Sequence, residues 1–316
     1  MASYIIRRTL LMVVTLIGLS IVIFAMLRLV PGNIADILFD AAGFIDPAEK
    51  AQLEEELGLA DPIPVQYWNW IVGLLQGDLG FSYVSELPTI DEIAPRLPIT
   101  AKLAVLALFF SVIFGLPLGV ISAVNQNSKL DYFLRVISLS GLSLPSFWLA
   151  LLILMAFVSW FGSMPIYTNP PDNLWDELLL YTVPAAAVGF RSSALIMRLT
   201  RSSMLEVLRQ DYIRTAKAKG ASDNSVNYGH ALSNAVLPVI TIIGIEAAFL
   251  IGGLIVTETV FNIPGVARFL VEAIQWRDYP IVQNLVMFIG LVVVVTNFLV
   301  DLLYVADRKS TRLNSS

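Results

Sequence analysis

Few side chains in this sequence are placed to do chemistry, and two of them lie inside long apolar runs. Glu246 falls near the middle of the run 236–256, and Asp301 falls near the end of the run 281–305. An ionisable group inside an apolar span is costly unless it faces a pathway, water or a partner side chain. Glu246 is therefore a candidate for lining a substrate path. Asp301 is better explained by a structural ion pair or hydrogen bond.

The motifs of common catalytic and metal sites do not occur in the sequence. There is no G-x-x-x-x-G-K-[ST] motif and no Gly-Lys pair, so the chain has no recognisable phosphate-binding loop. Neither H-E-x-x-H nor G-x-S-x-G occurs. The single histidine, His230, has no companion at metal-ligand spacing, and without cysteine there is no thiolate site. We therefore expect no enzymatic activity, and no metal or cofactor bound by this chain.

The most distinctive polar segment, at about 198–235, is basic and has the pattern of a helical hairpin. Apolar residues recur there at helical spacing, at Met204, Val207, Leu208 and Tyr212. Gly220 closes the stretch RTAKAKG (214–220) as a residue just past a helix end would, and Ser222 or Asp223 can cap a second short helix. A basic loop that touches anionic lipid would explain the charge alone. A capped hairpin goes further than charge requires, and it predicts a docking surface for a soluble partner.

The rest of the composition predicts a protein that crosses a membrane several times. Hydrophobic residues make up 57% of the chain, charged residues make up 14%, and the mean hydropathy is +0.75. Apolar runs long enough to span a bilayer occur at 9–27, 101–123, 134–161, 178–190 continuing to about 199, 236–256 and 281–305. The first run follows Arg7 and Arg8, and no A-x-A-like cleavage site comes after it, so we expect a retained helix. The fourth run is the weakest because Arg191 and Arg198 interrupt its end.

The distribution of charge predicts the orientation of these six spans. With the N-terminus inside, the inner segments hold 11 Lys and Arg residues against four acids. The loop 31–98 holds 12 acids against Lys50 and Arg96, and the loop 162–177 has no Lys or Arg. Because basic residues concentrate on the cytoplasmic side, both termini are expected in the cytoplasm.

The long loop 31–98 has the sequence pattern of a small helical domain. In the stretch DPAEKAQLEEELG, Asp46 is a candidate N-cap, Pro47 suits the first helical position, Glu49 suits the first turn and Gly58 suits the position past the end. In the stretch VQYWNWIVGLLQGDLG, one helical face carries Trp68, Ile71, Val72 and Leu75. That face could pack inside an extracytoplasmic cap or form an interfacial aromatic belt.

The basic hairpin resembles the cytoplasmic "EAA" loop of binding-protein-dependent ABC importer permeases. That pattern reads E-A-A, three residues, G, nine residues, I, one residue, L-P. Ala216 and Gly220 match it, whereas Arg214, Thr215 and His230 replace the family's Glu, first Ala and Ile. These departures are shared by the peptide-importer branch, which the stretch RLTRSSMLEVLRQDYIRTAKAKG resembles almost throughout.

Further stretches resemble the same dipeptide, oligopeptide and nickel branch across residues 1–306. They are LRLVPGN, LGLADPIPVQYWNW, GDLGFSY, LSLPSFWLALL and ETVFNIPGVARFLVEAIQWRDYPIVQ. The resemblance implies an all-α integral membrane protein with the six-helix type I importer permease fold. It also implies two segments, 1–98 with the first helix and the extracytoplasmic loop, and 99–306 with five helices and the coupling loop.

The resemblance also implies partners and roles for particular residues. The partners would be a homologous second permease subunit, two cytoplasmic ABC ATPase subunits that use ATP, an extracytoplasmic solute-binding protein and membrane lipid, with no nucleic acid. The segment 204–232 would be the ATPase-coupling element, with Arg214, Thr215, Ala216, Ala218, Gly220 and Ala221 transmitting motion. Glu246 could contact a peptide amino terminus, and Glu258, in the family-like ETVF, could help shape the outer gate.

The expected function is the permease subunit of an ATP-driven importer of peptides in a prokaryotic inner membrane. The same machinery in relatives handles nickel chelates, glutathione or oligosaccharides, so these stay open as substrates. A secondary transporter driven by an ion gradient is the rival of a different class, but it would need more intramembrane ionisable groups and often internal repeats. The ending DRKSTRLNSS (307–316) departs from the family and resembles a translated sequencing adapter, so we expect a non-native tail.

Overall fold

The chain is almost entirely helical over the residues that this computed structural model describes. These are residues 2–37, 47–165, 167 and 173–313, with the backbone alone at 2–3, 251 and 303–313. In chain order the helices are α1 Ala2–Leu29, α2 Pro47–Glu56, α3 Ile63–Gln76, α4 Thr89–Ile93, α5 Leu97–Val124, α6 Lys129–Ser143, α7 Ser146–Phe161, α8 Leu174–Val207, α9 Asp211–Ala218, a π-helical segment Ser225–Leu232, α10 Ser233–Val260, α11 Val266–Gln275 and α12 Tyr279–Leu313.

The predicted membrane spans are confirmed, with one change of form. Five helical stretches of the described chain are long and apolar enough to cross a membrane singly. The pair α6 and α7 makes a sixth when it is counted as one bent span. The expected all-α, six-span fold therefore holds.

The third predicted span is wrong as a single continuous helix, because it breaks at Leu144 and Pro145. Helices α6 and α7 meet there at 109°, and both intervening residues have extended backbone angles. Proline has no N–H to donate and disfavours a helical conformation in the residue before it. Pro117, Pro184 and Pro238, in contrast, lie inside unbroken helices, so the presence of proline alone did not reveal which run would break.

The fourth predicted span ends too early, because α8 continues to Val207. Arg191, which we counted among the charges of an inner loop, lies near the midpoint of this helix. Its side chain pairs with Glu246 on α10, and such pairing makes a charge tolerable inside a span.

One compact unit comprises residues 1–99 and 264–294. Its core is a cluster of buried apolar side chains, Ile93, Val266, Leu270, Ala273, Ile281, Val282 and Leu285. Helix α3 packs on α1 through Tyr67 and Trp70, whose rings lie 5.1 and 6.0 Å from the ring of Phe24. Trp68 and Leu75, on the apolar face read from the sequence, are instead 66% and 82% exposed.

The helix predicted from DPAEKAQLEEELG lies in this unit as α2 and begins at Pro47. The proposed cap Asp46 lies outside the described residues. Gly58 follows the helix with φ +66°, and the amides of Gly58 and Leu59 donate to the carbonyls of Glu55 and Glu54. These two bonds are the Schellman arrangement that ends many helices, as the sequence predicts for Gly58.

The second compact unit comprises residues 100–263 and 295–316, with α8 packed against α6, α7 and α10. Glycines allow its helices to approach closely. A Cβ on Gly189 would lie 2.8 Å from the carbonyl oxygen of Ala107, and one on Gly119 would lie 2.7 Å from that of Met197. Small residues at helix contacts are the usual packing device where lipid removes the hydrophobic driving force. The division by contacts differs from the chain-order division at 98 and 99, which stays a prediction.

Candidate functional site

The basic hairpin begins with a break that the sequence pattern did not indicate. Helix α8 ends at Val207, residues 208–210 form a turn, and α9 starts at Asp211. The prediction of one continuous helix from Met204 to Gly220 is therefore wrong, because Gln210 has an extended backbone. The turn also changes which residue is buried, since Ile213 is 1% exposed and Tyr212 is 45% exposed.

The end of α9 at Gly220 is as the sequence predicts. Gly220 has φ +83°, its amide donates to the carbonyl of Lys217 at 3.0 Å, and the amide of Ala221 donates to that of Ala216 at 3.1 Å. This is again the Schellman arrangement, and it needs a residue that tolerates a left-handed backbone. The hairpin corner therefore has a defined geometry.

The second arm of the hairpin is the start of a span rather than a separate short helix. The Oγ of Ser222 accepts a hydrogen bond from the amide of Ser225 at 3.3 Å, as expected of a cap. The chain then turns as the π-helical segment Ser225–Leu232 and continues directly into α10. A π-helical turn inside a helix is uncommon and frequently lies at functional sites.

A buried apolar cluster fixes the hairpin to the ends of the long helices. Ile213 of α9 and Val226 and Ala231 of the π-helical segment are at most 1% exposed. They form one cluster with Met204 of α8 and with Val120, Ala123 and Ala235. The cluster therefore joins α9 to α8 and α10 through contiguous packing.

The six predicted coupling residues divide between this cluster and the surface. Ala216 and Ala221 are half-buried and pack against the cluster, whereas Arg214, Thr215, Ala218 and Gly220 are exposed. The Arg214 side chain, 78% exposed, lies 3.6 Å from Asp211. Such exposed pairs contribute little to stability, so the Arg214 guanidinium is not fixed by this contact.

A buried ion pair beside the hairpin was missed by the sequence reading. Asp131 of α6 is fully buried, and Arg201 of α8 donates to its two oxygens at 2.8 and 2.9 Å. Ser122 donates to the same carboxylate at 2.6 Å, and the amide of Asn127 does so at 2.9 Å. The pair joins the ends of α5, α6 and α8. The two charges are 70 residues apart, and no local pattern links them.

The two candidate path acids lie on α10 but do not form one site. Ser192 donates to the Glu246 carboxylate at 2.5 Å, and a guanidinium nitrogen of Arg191 lies 3.8 Å from the same oxygen. Thr100 donates to Glu258 at 2.6 Å. Twelve positions along a helix separate the two carboxylates by about 18 Å. Glu258 is fully buried, and Asp301 is half-buried.

Metal-ligand geometry is not found in the part of the chain that the structure describes, where no three His, Asp or Glu side chains converge. His230 lies on the exposed side of the π-helical segment. Within the described residues, the arrangement is that of a mechanical connection between a surface hairpin and long helices.

Comparison with known proteins identifies similar chains over almost the whole length. The family model described as "Binding-protein-dependent transport system inner membrane component" matches residues 115–312, and the corresponding N-terminal model matches residues 1–104. The chain is 40% identical to the dipeptide transport system permease protein DppB of Alkalihalophilus pseudofirmus, over 96% of this chain and 97% of that protein. It is 39% identical to the glutathione transport system permease protein GsiC of Pectobacterium atrosepticum, over 99% of each.

A further relative and a solved structure agree with these matches. The oligopeptide transport system permease protein AppB of Bacillus subtilis is 38% identical, over 96% of this chain and 97% of that protein. The crystal structure of an amino acid ABC transporter with histidines superposes with a TM-score of 0.51, at 16% identity, and covers 68% of this chain and 93% of that one. The fold is shared, and the resemblance read from the sequence motifs is confirmed.

Proposed function

Because the chain belongs to the binding-protein-dependent transport system inner membrane components, we propose that it is the permease subunit of an ATP-driven peptide importer. The single observation that carries the proposal is the hairpin at 204–232. Its first arm ends in a defined glycine corner and presents exposed basic side chains, while its buried side is packed onto the ends of three long helices, α5, α8 and α10. A lipid-binding loop would need the charge but not the packing.

Coupling follows from how α9 is held. ATPase subunits that bind α9 and change their separation move Ile213, which packs in the same cluster as Met204 of α8 and Ala235 of α10. The Asp131–Arg201 pair holds the end of α8 to α6, so these helix ends move together. The partner subunits use ATP, and this chain supplies the helices that transmit the motion and half of the transport pathway.

The assembly and its orientation rest on family membership and charge. Two cytoplasmic ATPase subunits, a homologous second permease and an extracytoplasmic solute-binding protein complete the transporter. The excess of Lys and Arg in the segments on the hairpin's side supports the proposal that both termini are cytoplasmic. The ending 307–316, whose side chains lie outside the described residues, is proposed to be non-native, and resequencing the gene from its source tests this.

Peptides are the proposed substrates, and glutathione, itself a tripeptide, is the nearest alternative. The relatives named as dipeptide, glutathione and oligopeptide permeases have nearly the same sequence identity to this chain, at 40%, 39% and 38%. Competition of unlabelled glutathione, oligosaccharide and nickel chelate against labelled dipeptide uptake distinguishes these classes. Competition by peptides alone supports the peptide assignment.

A cross-linking experiment tests the docking of ATPases on α9. The sequence has no cysteine, so a single cysteine at Lys217, whose side chain is 55% exposed, reports contacts of this chain. We expect Lys217→Cys to cross-link to a cysteine in the ATPase, whereas Lys102→Cys, with the same exposure on α5, gives no product. Cross-linking from both positions, or from neither, would contradict docking on the hairpin.

A further inference from the structure

The charged pair Arg191 and Glu246 lies at an unusual depth in the second compact unit. Arg191 is near the midpoint of α8 (Leu174–Val207), and Glu246 is at the midpoint of α10 (Ser233–Val260). With a rise of 1.5 Å per residue, each is about 20 Å or more from either helix end. The pair therefore belongs to the middle of the membrane-spanning region.

The Arg191 side chain is too exposed at this depth to face lipid. It is 43% exposed in the chain, and its carboxylate partner lies 3.8 Å away, which is longer than a hydrogen bond. Arginine carries five N–H donors, and hydrocarbon can satisfy none of them. Charged residues inside spans face a bundle interior or a water-filled cavity, so the face that carries Arg191 is turned away from lipid.

A cavity of about 230 Å³ opens beside this pair. Its other walls are Ser146 at the start of α7, Val188 and Ser192 of α8, and Phe249, Leu250 and Gly253 of α10. A Cβ added at Gly253 would meet no atom within 4 Å, so that wall is open. The cavity thus combines two opposite charges, two hydroxyls, apolar walls and free access.

We propose that this cavity is a binding station for short peptides whose two termini are both free, with Glu246 receiving the ammonium group and Arg191 the carboxylate. This inference rests on the proposed peptide-importer function and locates recognition within this chain. The guanidinium fork suits a carboxylate, and Ser192 holds the Glu246 carboxylate in place. Without peptide, Arg191 and Glu246 pair with each other. Peptide binding replaces this one ion pair with two, so binding stays reversible, as transport through a pathway requires.

The spacing of the charges limits the length of the peptide. An extended chain spans at most about 3.3–3.6 Å per residue, so the termini of a dipeptide lie within about 7 Å and those of a hexapeptide can lie about 20 Å apart. The Arg191 and Glu246 side chains, 3.8 Å apart without peptide, need to separate only slightly to reach both ends of a di- or tripeptide. They cannot reach both ends of a long peptide in an extended conformation.

Thiol protection in the assembled transporter tests the station, because the chain contains no native cysteine. Gly253→Cys places a thiol on the open wall, and Ser146→Cys places one on the wall formed by the start of α7. We expect a charged, membrane-impermeant thiol reagent to label both positions, and alanyl-alanine to slow the labelling. Val14→Cys, at an exposed apolar position midway along α1, is the lipid-facing control and stays unlabelled.

Blocked peptides assign each terminus to its partner. N-acetyl-alanyl-alanine and alanyl-alanine amide should protect about tenfold less well, equivalent to roughly 1.4 kcal/mol. Glu246→Gln should remove the discrimination against the acetylated peptide only, and Arg191→Gln the discrimination against the amide only. A purely structural pair would not produce this crossed pattern.

Several outcomes would overturn the station. They are absence of labelling at both cysteines, labelling without protection, or equal protection by free and blocked peptides. ATP-driven uptake of alanyl-alanine by the unaltered complex is measured alongside. Uptake without protection rejects the station and leaves the importer function standing, whereas absence of uptake rejects the function itself.

Discussion

Replacing Gly220 by valine should disconnect the hairpin from its ATPase partner while leaving the membrane helices folded. No atom lies within 4 Å of a Cβ added at Gly220, so the added Cβ meets no neighbouring residue and the substitution acts through the backbone conformation. At φ +83° a residue with a Cβ is disfavoured by about 1–2 kcal/mol. The eight-residue helix α9 is too short to be stable alone, so the penalty falls on the local order of the hairpin.

The size of the effect follows from that penalty. A cost of about 1–2 kcal/mol changes an equilibrium by about 5- to 30-fold, here the equilibrium between an ordered and a frayed α9. Co-purification of the ATPase subunits and peptide uptake per ATP hydrolysed should fall by a similar factor. Gly220→Asn should be milder than Gly220→Val, because asparagine tolerates the left-handed region better than other non-glycine residues.

Gly58 is the matched control for this prediction. It ends α2 with the same pair of Schellman hydrogen bonds, has φ +66°, and also has no atom within 4 Å of an added Cβ. Gly58→Val therefore carries the same backbone penalty in a different part of the chain, and it should leave ATPase co-purification unchanged. Full ATPase binding by Gly220→Val, or an equal loss in both variants, would refute the assignment of the corner to coupling.

Three further outcomes follow from the packing and the buried charges. Asp131→Asn removes the charge partner of the Arg201 guanidinium and should lower the free energy of unfolding by about 3–5 kcal/mol. Thermal unfolding of the purified complex measures this loss, and the double variant with Arg201→Gln should recover part of it. Gly189→Val should reduce the yield of folded transporter because its Cβ would lie 2.8 Å from a backbone carbonyl, while Gly252→Ala, which meets no atom within 4 Å, should be tolerated. Burial raises the pKa of the Asp278 carboxyl above its usual range. Ionisation of this carboxyl therefore opposes folding, so the stability of the folded chain should fall as pH rises through that pKa. Asp278→Asn should flatten this dependence of stability on pH.

The sequence was sufficient for features that depend on local chemistry. The apolar runs predicted the spans because a bilayer demands about 20 apolar residues per helix. The corners at Gly58 and Gly220 were predicted because a left-handed backbone strongly favours glycine. The family motifs located the hairpin, and the matches to known permeases confirm the family.

Features that depend on tertiary pairing could not be predicted in this way. The break at Pro145 and the unbroken helix at Pro117 have the same local signal, and neighbouring helices decide between them. Arg191 was taken as the end of a span because its partner Glu246 is 55 residues away. The turn at 208–210 was missed because apolar spacing continues through it, and only packing shows that Ile213 replaces Tyr212 in the buried cluster.

In the proposed function, ATP hydrolysis by partner subunits drives peptide movement through this chain. The most direct measurement is uptake of labelled alanyl-alanine into vesicles that contain the complete transporter, with the solute-binding protein outside and ATP enclosed. We expect accumulation that requires ATP and persists when ionophores collapse all ion gradients. Uptake that needs no ATP and stops with the ionophores would contradict it and indicate a secondary transporter instead.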